Sequence, residues 1–218
     1  MTVDVTGRDR DYLPPMGKDW LLPLYDPFTR VLGIGRVHAR LADSAAVRSG
    51  HRVLEIGCGT GNLALLVKGR EPGADVVGLD PDFAALARAR RKSRRRRLAV
   101  QWDVGTAADL PYPDGSVDRV LSSLMLHHLP EETKPRALAE ARRVLQHGGE
   151  LHLVDMGGHP SHGRMLRRAH EDPRLRGQFD DGIADLLRQA GFTEVAETAR
   201  HSLFGTPVTA CRAVSPDA

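Results

Sequence analysis

The chain has 218 residues, a formal net charge of +3 and 27% charged side chains, a composition that fits one soluble domain with room for a substantial core. Its two cysteines, Cys58 and Cys211, are too few for a disulfide framework and point to a reducing cytoplasm. No apolar run approaches the ~20 residues of a membrane span, and residues 1–10 are polar and mixed in charge, without the apolar core of a signal peptide.

Residues 1–18 hold Gly7, Pro14, Pro15 and Gly17 and no sustained period, which reads as a flexible lead. From Asp19 apolar residues recur at helical spacing (Trp20, Leu21, Leu24, Tyr25, Phe28, Val31, Leu32), broken by Pro23 and Pro27. A second helix is predicted over 36–46, with Val37, Leu41 and Ala45 on one face. Strands and helices then alternate. Strands are expected at 52–56, 75–79, 98–104, 117–123 and 150–155, and helices at 61–69, 81–95 and 133–146. A helix over 181–190 precedes two strands, 193–198 and 206–213, which lack an intervening helix and should pair antiparallel. Alternating units demand a mostly parallel sheet covered on both faces.

The most informative stretch is V-L-E-I-G-C-G-T-G at 53–61, followed by Asp80 at the end of the second strand. Glycines let the backbone pass close to a ligand at angles other residues avoid. A carboxylate about 20 positions further on can take both hydroxyls of a ribose. The pattern is Gly57-x-Gly59-x-Gly61, with Asn62 where a dinucleotide fingerprint has its third glycine, and no lysine of a phosphate-binding loop follows.

At these residues the chain resembles the class I S-adenosylmethionine-dependent methyltransferases. Four further segments extend the resemblance over roughly 50–213: V-V-G-L-D-P-D at 76–82, L-P-Y-P-D-G-S-V-D at 110–118, L-H-H-L at 126–129 and R-V-L-Q-H-G-G at 143–149. Together they are similar to the small-molecule branch that includes the ubiquinone- and menaquinone-biosynthesis-type enzymes. The resemblance implies an α/β, doubly wound, mostly parallel seven-stranded sheet, the Rossmann-like methyltransferase fold, with an antiparallel last strand. It further implies a lead at 1–18, lid helices at 19–48 and a core at 49–218. Three departures stand out. Gly105-Thr106-Ala107 replaces the family's Gly-Asp-Ala, with Asp109 a substitute acid; His147 replaces a proline; and the quinone enzymes' Arg-Asn segment after strand five is missing.

The implied cofactor is S-adenosyl-L-methionine, with S-adenosyl-L-homocysteine as product. Gly57, Cys58, Gly59 and Gly61 pass alongside its methionine portion. Glu55 either attracts the ammonium or braces the loop. Asp80 takes the ribose hydroxyls, Pro81 follows it, and Thr106 and Ala107 edge the adenine. Asp82 or Phe83 lies near the adenine, Phe83 more as core packing, and Ser122 faces the crevice at the exit of strand four. Tyr25 is the best contact from the lid. His127 and His128 are candidate bases, Asp155 an orienting acid, and His159 and His162 lack the companions of a metal site, so no metal is expected.

Residues 88–97 carry eight basic side chains. At the C-terminal end of a helix they complement its dipole as a solvated patch, away from the crevice. An RNA or protein methyltransferase recruited by that patch is one alternative, and a non-catalytic cofactor-binding module is another. Strand four ends in Ser122-Ser123-Leu124-Met125, not in the Asn/Asp-Pro-Pro-aromatic motif of base methylation, so nucleic acid is not the favoured partner. The expected partner is a small-molecule acceptor of the methyl group on O, N or C, and the protein itself a cytoplasmic monomer or homodimer.

Overall fold

In the computed structural model the residues described are 33–156, 182–203 and 206–217. Readings that fall on Trp20, Tyr25, Phe28, His159 and His162 lie outside them. The elements are α1 (Ile34–Ser44), β1 (Arg52–Ile56), α2 (Asn62–Arg70), β2 (Asp75–Asp80), α3 (Phe83–Arg96), β3 (Gln101–Val104), β4 (Val117–Ser123), α4 (Lys134–Val144), β5 (Leu145–Met156), α5 (Gly182–Gln189), β6 (Thr193–Leu203) and β7 (Thr206–Val214). They build one sheet in the order β3-β2-β1-β4-β5-β7-β6. β1 to β5 run parallel, and β7 lies antiparallel between β5 and β6. The strand order reverses between β1 and β4, which is where open α/β sheets leave a crevice for ligands.

Both faces of β1 are covered, so after Arg52 its sequence is apolar except for Glu55. Val53 joins a cluster with residues of α1, α2 and α3 (Leu41, Leu63, Leu86), while Leu54 and Ile56 join one with α4 and α5 (Leu138, Leu187). The predicted face of α1 is borne out: Val37, Leu41 and Ala45, at the helix's C-cap, are all buried.

Helix α2 starts at Gly61, which has no side chain to cap it. Glu55 supplies the missing acceptor, because the Ala64 N–H donates to its Oε2 at 2.7 Å. Helix α3 is capped by Asp82, which accepts from the N–H groups of Ala84 and Ala85. Its first turn therefore begins at Phe83, and Pro81 stands before the cap rather than inside the helix. Phe83 is 58% exposed and does not pack in the core as its helical position suggested.

β3 is shorter than predicted, because Arg97 turns the chain out of α3 at φ 55 and Leu98 still bonds back to the Ser93 carbonyl. β5 is longer. It starts at Leu145, opposite Val117, but the register then jumps to Arg119 opposite Glu150, so the Gly148-Gly149 turn sits as a bulge inside the strand.

Trp102 fills the space between β2 and the start of α2, and two glycines make room for it. A Cβ on Gly78 would lie 2.6 Å from its ring, and one on Gly61 2.3 Å. Gly78→Ala should therefore destabilise the fold by about 1–3 kcal/mol through overpacking. Chemical denaturation checks this, and an unchanged midpoint would show that the ring yields freely.

Candidate active site

A cavity of about 420 Å³ opens at the C-terminal ends of β1, β2 and β4. Gly57, Cys58 and Gly59 form part of its wall, with Glu55, Asp80, Pro81, Thr106 and Ala107, as the sequence placed them. The glycines take φ values of 71, 51 and 76 at Gly57, Gly59 and Gly61, in the left-handed region. A Cβ on Gly59 would meet nothing within 4 Å, whereas one on Gly57 would collide with Met125. The loop thus presents open backbone at Gly59 and packs tightly at Gly57.

Asp80 is fixed on two sides. Its Oδ2 accepts from the Gly59 N–H at 2.7 Å and its Oδ1 from the Asp82 N–H at 2.9 Å. It orders the loop between two elements and is not itself the helix cap. Burial raises its pKa to about 6, against the pull of those two N–H groups. Burial likewise raises Glu55 to about 8, so the side chain is neutral near pH 7. The bracing contact to Ala64 is present.

The rest of the cavity wall is built from α1 and the segment after β4. Leu124 holds φ 54, a strained value for leucine, and swings the chain so that Ser123, Leu124 and Met125 all reach the cavity wall. A single 3-10 turn, Leu126–His128, follows. His128 lines the cavity; His127 lies behind it, with ring centroids 4.0 Å apart. His127 Nδ1 donates to Asp155 Oδ1 at 2.6 Å, and the Leu126 N–H donates to Asp155 Oδ2 at 2.6 Å. Asp155 therefore anchors the turn and one imidazole. Desolvation at the wall, then the His127 imidazole, lowers the His128 pKa to about 4, with Asp155 opposing.

Several expectations need correction. Ser122 points to the α4 face with Val120, and its buried Oγ finds no partner among the described residues; Ser123, one position on, faces the cavity. Gly61 does not line the cavity but accommodates Trp102 and starts α2. Asp109 is exposed and pairs by backbone with Thr106, while Ala108 takes the place at the wall. The basic run is not wholly solvated: Arg90 donates to the Trp102 carbonyl, and Lys92 reaches Thr60 Oγ1 and Asn62 Oδ1 beside the glycine loop. Arg94, Arg95, Arg96 and Arg97 remain exposed. His38 of α1 was missed. It lines the cavity 3.1 Å from Ser123 Oγ, and a histidine next to Val37 on an otherwise apolar helix face was its signal. Among the described residues no group of three or more metal-binding side chains occurs, and no helix is long and apolar enough to cross a membrane.

This sheet order, with the cavity over its glycine loop and a buried carboxylate at the end of β2, defines a Rossmann-like methyltransferase fold. Residues 53–149 match a family model described as a methyltransferase domain. Over these residues the chain is similar to the class I S-adenosylmethionine-dependent methyltransferases. It is 39% identical over 138 residues to a demethylmenaquinone methyltransferase of Thermus thermophilus, covering 62% of each chain. It is 33% identical over 156 residues to a 2-phytyl-1,4-naphthoquinone methyltransferase of Synechococcus elongatus, covering 69% of this chain and 65% of that one. The chain thus spans less than two thirds of the length of these relatives. Among solved structures, a Haemonchus contortus phosphoethanolamine N-methyltransferase in complex with S-adenosyl-L-methionine superposes with a TM-score of 0.73 at 17% identity. That match covers 93% of this chain and 58% of the other and supports the fold.

Proposed function

We propose that the protein is an enzyme that transfers a methyl group from S-adenosyl-L-methionine to a small-molecule acceptor, leaving S-adenosyl-L-homocysteine. The observation that carries this reading is the Asp80 carboxylate, held by the Gly59 and Asp82 N–H groups at the edge of a cavity left open over Gly59. Each carboxylate oxygen accepts one backbone bond and keeps capacity for another, which suits a ribose diol. Gly57, Cys58 and Gly59 would flank the methionine portion, with Glu55 bracing α2 behind them. Pro81, Thr106 and Ala107 would border the base.

The cofactor supplies an electrophilic methyl carbon on a sulfonium; the remaining demands fall on the chain. Ile34, Leu124, Met125 and Leu129 make the acceptor end apolar and exclude water, which favours close alignment of acceptor and methyl carbon. An acceptor hydroxyl or carbon acid also gives up a proton. His128, neutral and at the wall, receives it, while Asp155 and His127 hold the turn that presents His128. α1 contributes Ile34 and His38 to the cavity, which supports the division into lead, lid helices (19–48) and core. Tyr25, within the lid, stays part of that proposal.

Two of the relatives are named for demethylmenaquinone and 2-phytyl-1,4-naphthoquinone, which supports an aromatic small molecule over RNA or protein. The inward turn of Arg90 and Lys92 removes two of the eight cations from the surface patch and further favours the small-molecule reading.

Calorimetry provides the first check. S-adenosylmethionine and S-adenosylhomocysteine should both bind the purified protein, and NAD should not. Heat with NAD alone would overturn the reading. Mass spectrometry of a metabolite extract incubated with isotope-labelled cofactor then identifies the methylated product.

A further inference from the structure

We propose that His38 and Ser123 form a hydroxyl-recognition pair in the acceptor site, and that the acceptor is an uncharged aromatic alcohol of the phenol or enol class. The inference rests on the methyl-transfer reading above.

His38 reaches the cavity from α1, and Ser123 reaches it from the end of β4. They are 85 residues apart in sequence, yet their Nε2 and Oγ atoms lie 3.1 Å apart. Ser123 is held in place as the last residue of β4, paired with Val154, and the chain turns off at Leu124 with a strained φ of 54. Strain of this kind persists where the surroundings over-determine it, and it collects at binding sites. α1 is held from outside by Arg70, which bonds the Ala39 carbonyl and Asp43, so the imidazole is presented by a fixed helix.

The pair has a defined hydrogen-bonding capacity. Burial and then the Lys92 ammonium lower the His38 pKa to about 4, so the ring is neutral near pH 7. A neutral imidazole has one donor and one acceptor nitrogen. If Nε2 accepts from the Ser123 hydroxyl, the serine oxygen is left to accept from an incoming O–H. If Nε2–H donates, the serine O–H is left to donate to an incoming oxygen. Either tautomer offers a single hydroxyl one matched bond.

An anionic acceptor would find less. No lysine or arginine is among the described lining residues, and Glu132 adds a carboxylate near His128 and Thr133. The nearby Lys92 ammonium already donates to Thr60 Oγ1 and Asn62 Oδ1 of the wall, so a phosphate or carboxylate would find no lining cation to pair with directly and would be desolvated at a cost. The walls at this end, Ile34, Leu124, Met125 and Leu129, suit a flat apolar body. His128 and the His38–Ser123 pair are thus separate polar features in an apolar chamber. One receives the proton, and the other fixes where the hydroxyl lies.

The test compares 7-hydroxycoumarin with coumarin, two probes that differ by one hydroxyl, in the presence of saturating S-adenosylhomocysteine at about pH 6.5. The wild-type protein should prefer the hydroxylated probe by roughly tenfold, the value of one well-placed buried hydrogen bond. Ser123→Ala and His38→Phe should each reduce the preference to less than about threefold, and the double variant should reduce it no further, because the two side chains act as one unit. Ser123→Thr, which restores a hydroxyl, should regain it; a general packing defect would not respond in this way. Melting curves establish that each variant is folded. Retention of the full preference in both single variants overturns the proposal, as does an absence of preference, or of binding, in the wild type. Failure of S-adenosylhomocysteine itself to bind would instead defeat the methyl-transfer reading.

Discussion

Asp80→Ala should lower the affinity for S-adenosylhomocysteine about 10- to 100-fold, more than any other single change at the cofactor end. A diol loses its acceptor in a partly buried site, and leaving such a group unsatisfied costs about 1–3 kcal/mol. Alanine also frees the Gly59 and Asp82 N–H groups, so part of the loss reflects a looser loop. Asp80→Asn separates the two effects, since the amide keeps one oxygen for a backbone donor but loses the charge. A pH titration adds a second signature. Burial raises the Asp80 pKa to about 6, and the diol needs the ionised form. Affinity should therefore rise with pH up to about 6 and level off above it, and Asp80→Asn should remove that dependence. Stability of the free protein should run the other way. The native carboxyl keeps its proton longer than the unfolded one, so between about pH 4 and 6 this group's contribution falls as pH rises. Calorimetric affinities within twofold of wild type for Asp80→Ala would show that the ribose does not sit here.

Much of this site was legible because its signals are local. β1 and β4 have the bounds their apolar runs predict, since each is closed by a turn visible in the text. Asp80 follows from spacing alone. What sequence missed depends on which neighbour covers which face. Ser122 and Ser123 are adjacent and chemically equal, and period two puts them on opposite sides of the sheet. Only the docking of α1, with His38, shows which of the two meets the cavity. Gly61 belongs to the motif but serves Trp102, which comes from β3 and is not visible as a partner in the sequence. Lys92 reads as one more charge in a basic run until α3 is laid beside the loop, where it meets Thr60 and Asn62. Phe83 follows the helical period yet stands at the first position of α3, where one side of the helix is still open to solvent. Periodicity identifies a face, not its neighbour.

The segment 126–128 shows the same limit in chemistry. Two adjacent histidines are equivalent as text, and the 3-10 turn gives them different surroundings. His127 is committed to Asp155, which also takes the Leu126 N–H, so its ring is fixed; His128 rests against it and faces the cavity. His128→Gln should therefore lower kcat for an oxygen acceptor by about 10²–10⁴-fold, the range of a positioned general base. Cofactor affinity should stay near wild type, because Asp80 is held by the Gly59 and Asp82 N–H groups and not by His128. Asp155→Asn should cost less. The asparagine oxygen can still accept from the Leu126 N–H, while its amide group now faces His127 Nδ1 and favours the opposite tautomer of that ring. The pH profile gives the sign. His128 is pushed down to about 4, so it is unprotonated and competent at neutral pH, and kcat at saturating cofactor should fall only as acid approaches that value. By contrast, kcat/KM for the cofactor should already fall near pH 6, where Asp80 takes up its proton. Separate breaks for the two parameters would place base and diol acceptor on different groups. A His128→Gln enzyme turning over at the wild-type rate, with the low-pH limb unchanged, would remove the imidazole from the reaction and leave the acceptor to lose its proton to solvent.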